Sequence, residues 1–193
     1  MFSRPISAII DSVMKILVIG DTHGKLNKVR DIWPKLTDID LIAHTGDHFS
    51  DAQKLAEELH VQVAAVRGNC DSTGPDQEII ETEYGKILLV HGHREHVYYD
   101  LSTLKYRAME AGCCAALFGH THCSLITEDE GIWFVNPGSL TLPRDESSGS
   151  YAIVRTADES FDASIVYYST VMGGKKSPSG GFVRSILNYS DRF

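Results

Sequence analysis

The chain has 193 residues, enough for one domain with a real core and too few for two ordinary domains. Hydrophobic residues make up 42% and charged residues 23%, a globular composition that argues against global disorder. Lys and Arg total 18 against 26 Asp and Glu, a formal net charge of −8 that offers no global attraction to long nucleic acids or an anionic membrane, and no apolar run approaches the ~20 residues of a membrane span.

Residues 1–13 carry a short apolar patch (Ile6, Ala8, Ile9, Ile10) broken by Asp11. It lacks the length and cleavage site of a signal peptide, so it reads as a flexible extension with Met14 as the working start. From there a pattern recurs. A β-branched apolar run stops at or near a Gly, and a polar group sits on the stop. Lys15 to Gly20 leads to Asp21-Thr-His23, and Asp40 to Ala43 leads to His44-Thr-Gly46-Asp47. Val61 to Val66 leads to Arg67-Gly68-Asn69-Cys70-Asp71, Lys86 to Val90 to His91-Gly92-His93, and Ala115 to Phe118 to Gly119-His120-Thr-His122. Such runs are those of buried strands. Between them Leu26–Leu36, Asp51–Leu59 and Leu101–Ala111 repeat apolar residues at helical spacing, and Glu78 to Val90 reads as a hairpin. Strand, helix and strand in alternation predict right-handed crossovers and a largely parallel sheet, whose ligands sit beyond the carboxyl ends of the strands. Every polar group just named lies at such an end.

After Cys123 the pattern turns to strands separated by turns: Ser124–Thr127, Gly131–Val135, Tyr151–Arg155 and Ala163–Tyr168. These predict a second, mostly antiparallel sheet packed on the first, within a domain spanning residues 14–170. Residues 171–193, rich in Gly, Ser and Lys from Met172 onward, read as a flexible tail. The four cysteines show no CxxC spacing, and Cys113 and Cys114 are adjacent. Neither a disulfide framework nor a zinc ribbon is indicated, and a reducing, cytoplasmic setting is expected.

The strand ends gather Asp21, His23, Asp47, Asn69, His91, His120 and His122. Neutral imidazoles and hard oxygens suit Mn²⁺, Fe²⁺ or Zn²⁺ rather than Ca²⁺ or a soft-metal site. Seven ligands exceed one tetrahedral ion and suit two ions roughly 3.5–4 Å apart that share a carboxylate. Two adjacent dications repel, so the bridge calls for a full carboxylate, and Asp47 is the natural candidate. Gly46, Gly68, Gly92 and Gly119 would let the backbone approach the metals without a Cβ clash. Taken singly, each piece has a plain structural explanation, a helix cap or a turn. Their joint order along the chain is what carries the metal-site reading.

Asp21-x-His23, Gly46-Asp47, Gly68-Asn69-Cys70-Asp71, His91-Gly92-His93 and Gly119-His120-Thr121-His122 resemble the five motifs of the calcineurin-like metallophosphoesterase superfamily. The chain looks closest to its small bacterial and archaeal phosphodiesterases of the YfcE type, and Asn136-Pro137-Gly138-Ser139 fits that branch. The resemblance covers about Met14 to Tyr168. It implies a four-layer α/β/β/α sandwich of two mixed sheets flanked by helices. It also implies two divalent ions, most commonly Mn²⁺, with Fe, Ni or Zn as alternatives. Asp21, His23, Asp47 and His122 would hold one ion, and Asp47, Asn69, His91 and His120 the other. Cys70 departs from most of the superfamily, which has His there as a leaving-group acid. The small phosphodiesterase branch often lacks that His as well.

His93 is then the first candidate for the acid, with a hydrogen-bond partner to a ligand as the competing role. Asp71 would orient Asn69 or another ligand. Arg67 and Arg94 are either phosphate contacts or surface residues. Cys70 and Cys123 read as packing residues. The expected activity is hydrolysis of a small phosphodiester by a metal-bridging hydroxide, with no covalent intermediate. Long nucleic acid and membrane partners are not expected, and a homo-oligomer is open. Two rivals also stay open. One is a non-catalytic protein-binding scaffold like the retromer subunit of the same fold. The other is a phosphomonoesterase, nuclease or dinucleotide hydrolase using the same metal chemistry.

Overall fold

A computed structural model describes residues 13–173. The expectations for residues 1–12 and 174–193 lie outside the described residues. Ten strands form two five-stranded sheets. The first has the order β10-β9-β1-β2-β3 and contains β1 (Met14–Ile19), β2 (Leu41–His44), β3 (Gln62–Ala65), β9 (Ser150–Ala157) and β10 (Ser160–Tyr167). The second has the order β4-β5-β6-β8-β7, from β4 (Gln77–Thr82), β5 (Gly85–Val90), β6 (Cys113–Leu117), β7 (Ser124–Asp129) and β8 (Ile132–Pro137). Helices α1 (Asn27–Ile32), α2 (Phe49–Leu59) and α4 (Tyr168–Met172) share the outer core of the first sheet, and α3 (Ser102–Glu110) that of the second.

The period-two alternation of the strands makes these layers. On β1, Ile16 and Val18 enter the core between the sheets, while Leu17 and Ile19 enter the core beneath α1 and α2. On β5, Ile87 and Leu89 face the first sheet, and Leu88 and Val90 pack with Leu104 and Ala108 of α3. All eight strand residues are buried to within 1% exposure, so β1 and β5 must be covered on both faces. That requirement is met by a four-layer α/β/β/α sandwich of two mixed sheets.

The partition between the sheets differs from the expectation of one parallel and one mostly antiparallel sheet. Parallel pairing is split: β1–β2 and β2–β3 in the first sheet, β5–β6 and β6–β8 in the second. The late strands β9 and β10 return to the first sheet, where β9 runs antiparallel to β1 with Leu17 opposite Ile153. Alternation alone reports which face of a strand is buried, not which neighbour it joins. The helix predicted over Leu26–Leu36 becomes α1 followed by a 3-10 turn at Trp33–Lys35. Pro34 has no N–H and crowds the preceding turn, so the α-helix stops before it. Helix α2 starts two residues earlier than expected. Asp71, outside the helix, accepts the N–H groups of His48 (3.1 Å) and Phe49 (2.8 Å). The short α4, unanticipated, straddles the expected boundary at 170 and brings Tyr168 and Val171 onto the outer core.

Candidate metal centre

The carboxyl ends of β1, β2, β3, β5 and β6 meet at one edge of the sandwich. Backbone bonds tie them there: Asp21 N to Gly46 O (3.0 Å), Val66 N to His44 O (3.2 Å) and Gly119 N to His91 O (3.0 Å). Side chains then cross between the sheets. His91 Nδ1 lies 2.8 Å from Thr45 O, and the His120 N–H donates to Asp21 Oδ2 at 3.0 Å. Five of the seven predicted ligands, Asp21, His23, Asp47, His120 and His122, have φ between 49° and 69°. Non-glycine residues seldom take that left-handed conformation, and such residues concentrate at functional sites.

One donor atom from each of Asp21, His23, Asp47 and His122 lies within 4.8 Å of the others. His122 Nδ1 is 2.7 Å from Leu142 O and must donate to it, which leaves Nε2 as a bare lone pair. That lone pair sits 3.4 Å from Asp21 Oδ1 and 3.4 Å from His23 Nε2. Asp21 Oδ1 is buried and has no hydrogen-bond partner. A buried carboxylate oxygen facing an imidazole lone pair is unfavourable unless a proton or cation lies between. The donor set therefore fits a metal ion. The second half shows the same convergence. His91 is fixed by Thr45 O, so its Nε2 lone pair points at Asn69 Oδ1 (3.1 Å) and lies 3.5 Å from Asp47 Oδ1. The His120 ring is 5.0 Å from that of His91.

Asp47 lies between the halves. Its Oδ2 is 3.6 Å from His23 Nε2, whereas its Oδ1 faces His91 and accepts the Cys70 N–H at 2.9 Å. Burial, then the charge of Asp47, pushes the Asp21 carboxyl well above its ordinary range. Burial pushes Asp47 up too, but the Cys70 N–H and the neighbouring imidazoles outweigh it and hold Asp47 below the usual value. Burial lowers His91 to about 4 and also lowers His120 and His122, keeping these rings neutral and free to ligate near pH 7.

Two glycines have a direct steric reason. A Cβ on Gly68 would fall 2.0 Å from Asp47 Oδ1, and one on Gly46 would fall 2.8 Å from His91 Nδ1 at a φ of +104°. Behind the ligands is a buried relay that the sequence did not reveal. Gly46 N–H donates to His44 Nδ1 (3.3 Å), His44 Nε2 donates to Thr22 Oγ1 (3.1 Å), and Thr22 donates to Asp51 (2.8 Å). Asp51 also accepts the Gly24 N–H at 2.8 Å. The relay ties the Asp21–His23 turn to the Asp47 turn. Asn136 and Ser139 brace it from the second sheet. Asn136 donates to Gly119 O (2.9 Å) and Thr121 Oγ1 (3.0 Å), and Ser139 donates to Asp21 O (3.0 Å).

The remaining predicted residues are placed as follows. The His93 ring is 5.2 Å from His91 and 6.0 Å from His120, with Nδ1 buried and unpartnered. Asp71 does not bond the Asn69 side chain. It accepts three backbone N–H groups, from His48, Phe49 and Gly68, and so ties the Asp47 turn to the Asn69 turn. Cys70 is exposed, which corrects its reading as a packing residue. Partial desolvation of the sulfur, then its hydrogen bond to Asp47 and that carboxylate's charge, push the thiol up to about 11. Cys123 is half-buried. Arg67 and Arg94 both bond Asp76, at 2.6 and 2.7 Å.

A two-sheet α/β sandwich with this donor set at its strand ends is the arrangement of the metallophosphoesterase superfamily. The family model for the calcineurin-like phosphoesterase superfamily domain matches residues 14–159, and the chain belongs to that family. It is 33% identical over 158 residues to the probable metallophosphoesterase YsnB of Bacillus subtilis (strain 168), covering 80% of this chain and 90% of that protein. A conserved protein of Streptococcus pneumoniae TIGR4, described as a predicted phosphoesterase, superposes with a TM-score of 0.71 at 26% identity, over 82% of this chain and 91% of its own. An archaeal phosphodiesterase (TM-score 0.60, 21% identity, 79% and 100% coverage) and Vps29 of Cryptosporidium parvum (0.66, 20%, 81% and 98%) share the fold. Among the described residues no helix is long and apolar enough to cross a membrane.

Proposed function

We propose that the chain is a phosphodiesterase that hydrolyses small phosphodiesters at a two-metal centre, with Mn²⁺ as the working ion. The observation that carries this reading is Asp47, whose two oxygens are turned to two different sets of lone pairs. Asp21, His23, Asp47 and His122 would hold one ion, and Asp47, Asn69, His91 and His120 the other. Two such ions would supply Lewis acidity, activating a water near neutral pH and offsetting charge on the phosphoryl oxygens. The chain's own residues do the rest. Thr45 O and Leu142 O fix the tautomers of His91 and His122, and the left-handed turns aim the ligands inward.

Protonation of the leaving group is the weak part of this site. His93 is lowered by burial, then by Arg94, and the Cys70 thiol is raised to about 11. Neither is a strong acid near pH 7. Substrates whose leaving groups depart as anions are therefore favoured. The test is a panel of aryl and alkyl phosphodiesters, monoesters and cyclic nucleotides with added Mn²⁺. Turnover of diesters ahead of monoesters is expected. Monoesters ahead of diesters would refute the diesterase assignment. Full metal content with no turnover of any ester would support the scaffold reading instead.

A further inference from the structure

Every arginine among the described residues except one has a carboxylate partner: Arg30 with Glu58, Arg67 and Arg94 with Asp76, Arg107 with Glu95, and Arg155 with Asp162. The exception is Arg144, and it stands beside the metal centre. Its backbone N–H donates to His122 O at 3.0 Å. Its guanidinium bonds the hydroxyl of Tyr98. That hydroxyl in turn donates to His120 O at 3.1 Å, and the Tyr98 ring stands edge-on to the His120 ring at 4.8 Å. Two of the ligands thus fix where Arg144 sits, one through its own backbone and one through Tyr98. The Arg144 charge is also among those acting on Asp21, His120 and His122, although burial acts more strongly on each.

We infer that Arg144, held by Tyr98, is the residue that anchors the substrate's phosphoryl group, taking a non-bridging oxygen on the His120–His122 side of the centre. This rests on the phosphoesterase reading above. A guanidinium at the rim with one donor spent on Tyr98 keeps the others for an anion, and arginine presents them in the planar fork that phosphate accepts. Asp76 already occupies Arg67 and Arg94, the two arginines nearest the motifs in sequence. Asp145, the carboxylate next in sequence, is turned away to Ser124 and Ser147 and leaves Arg144 unpaired. Tyr98 keeps the long side chain from swinging into solvent, which lowers the entropy lost when substrate binds.

The test uses the Mn²⁺-loaded full chain and the variants Arg144→Gln, Arg144→Lys and Tyr98→Phe. Binding of inorganic phosphate is measured by calorimetry, metal content by elemental analysis, and turnover on bis(4-nitrophenyl) phosphate. Arg144→Gln is expected to weaken phosphate binding by about 10–100-fold and to raise KM by a similar factor, with a smaller change in kcat. Arg144→Lys should recover part of that loss, because it restores the charge without the fork. Tyr98→Phe should fall between wild type and Arg144→Gln. Metal content should stay at the wild-type level in all three. Phosphate binding within twofold of wild type in Arg144→Gln would overturn the inference, as would loss of metal in that variant. So would a wild-type protein that binds no phosphate. A wild type that binds phosphate through Arg144 but hydrolyses no ester would leave the anchor standing and remove the phosphodiesterase reading.

Discussion

Asp47→Asn separates the metal-bridging role of Asp47 from any role in folding, because only the first depends on metal. The side chain is 3% exposed, and an asparagine keeps its shape and one acceptor for the Cys70 N–H. In the metal-free protein the Asp47 charge faces that of Asp21, with the donor atoms within 4.8 Å. At an effective dielectric of about 20, two charges at that distance repel by about 3.5 kcal/mol, less to the extent that Asp21 takes up a proton. Despite burial, Asp47 is itself held below the usual carboxylate value by the Cys70 N–H and the neighbouring imidazoles, which offsets that repulsion, so the metal-free variant should melt within about 1 kcal/mol of wild type, about 2–4 °C for a chain this size. With metal the two proteins part. Removing a partner behind a ligand weakens metal affinity by about 10–100-fold, so losing the shared ligand itself should weaken it by more than about 100-fold. At a Mn²⁺ concentration of ~100 times the wild-type Kd, wild type gains about 2.7 kcal/mol and the variant less than about 0.5. Calorimetric melts in chelator and in Mn²⁺, with elemental analysis, read both effects. A variant that melts more than about 4 °C below wild type in chelator, or that holds two ions and turns over normally, refutes the reasoning.

Gly68→Ala should drive its Cβ onto Asp47, 2.0 Å from Oδ1 and 2.5 Å from the backbone N, at about 1–3 kcal/mol in stability. Unchanged melting and metal content would show that the loop yields freely. In the wild type, rates across a phosphodiester series should fall steeply as leaving-group pKa rises, and Cys70→His should flatten the slope while Cys70→Ala changes little. A flat wild-type slope would mean that a competent acid already exists, with His93→Ala the next variant to measure. Buried His44, lowered to about 4 mainly by desolvation against the opposing pull of Asp51, binds a proton more readily unfolded than folded. Its contribution is full above pH ~6.5 and is lost as pH falls from there towards 4, about 3 kcal/mol in all. His44→Gln, which does not titrate, should show a shallower loss of unfolding free energy over that window in chelator, and an identical slope would refute this assignment.

The strands were legible because their information is local. Alternating Ile, Leu and Val in Lys15–Ile19 or Lys86–Val90 report burial on two faces, whatever the chain does elsewhere. The sheet to which each strand belongs was not legible. Whether Tyr151–Arg155 lies beside β8 or returns to β1 is decided by which apolar face is left uncovered, and that depends on the whole fold. The start of α2 failed for a related reason, since its cap comes from Asp71, 22 residues beyond Phe49.

The site divides along the same line. Metal ligation demands particular residue types, so Asp, His and Asn at strand ends stand out by type and position before any fold is known. The residues that hold those ligands demand only a donor or an acceptor in the right place. His44 looks like part of a strand, Thr22 like the filler between Asp21 and His23, and Asp51 like an exposed helix residue, yet all three are buried and bonded in series. Arginine is the extreme case. Six described arginines are chemically equivalent in the sequence, and a reading by motif proximity favours Arg67 and Arg94. What distinguishes them is the carboxylate each one meets. Asp76 neutralises that pair across 9 and 18 residues, whereas the carboxylate beside Arg144 is engaged elsewhere. A guanidinium with no carboxylate partner is thus a property of the pairing pattern across the described surface, and it emerges only when every competing partner has been placed.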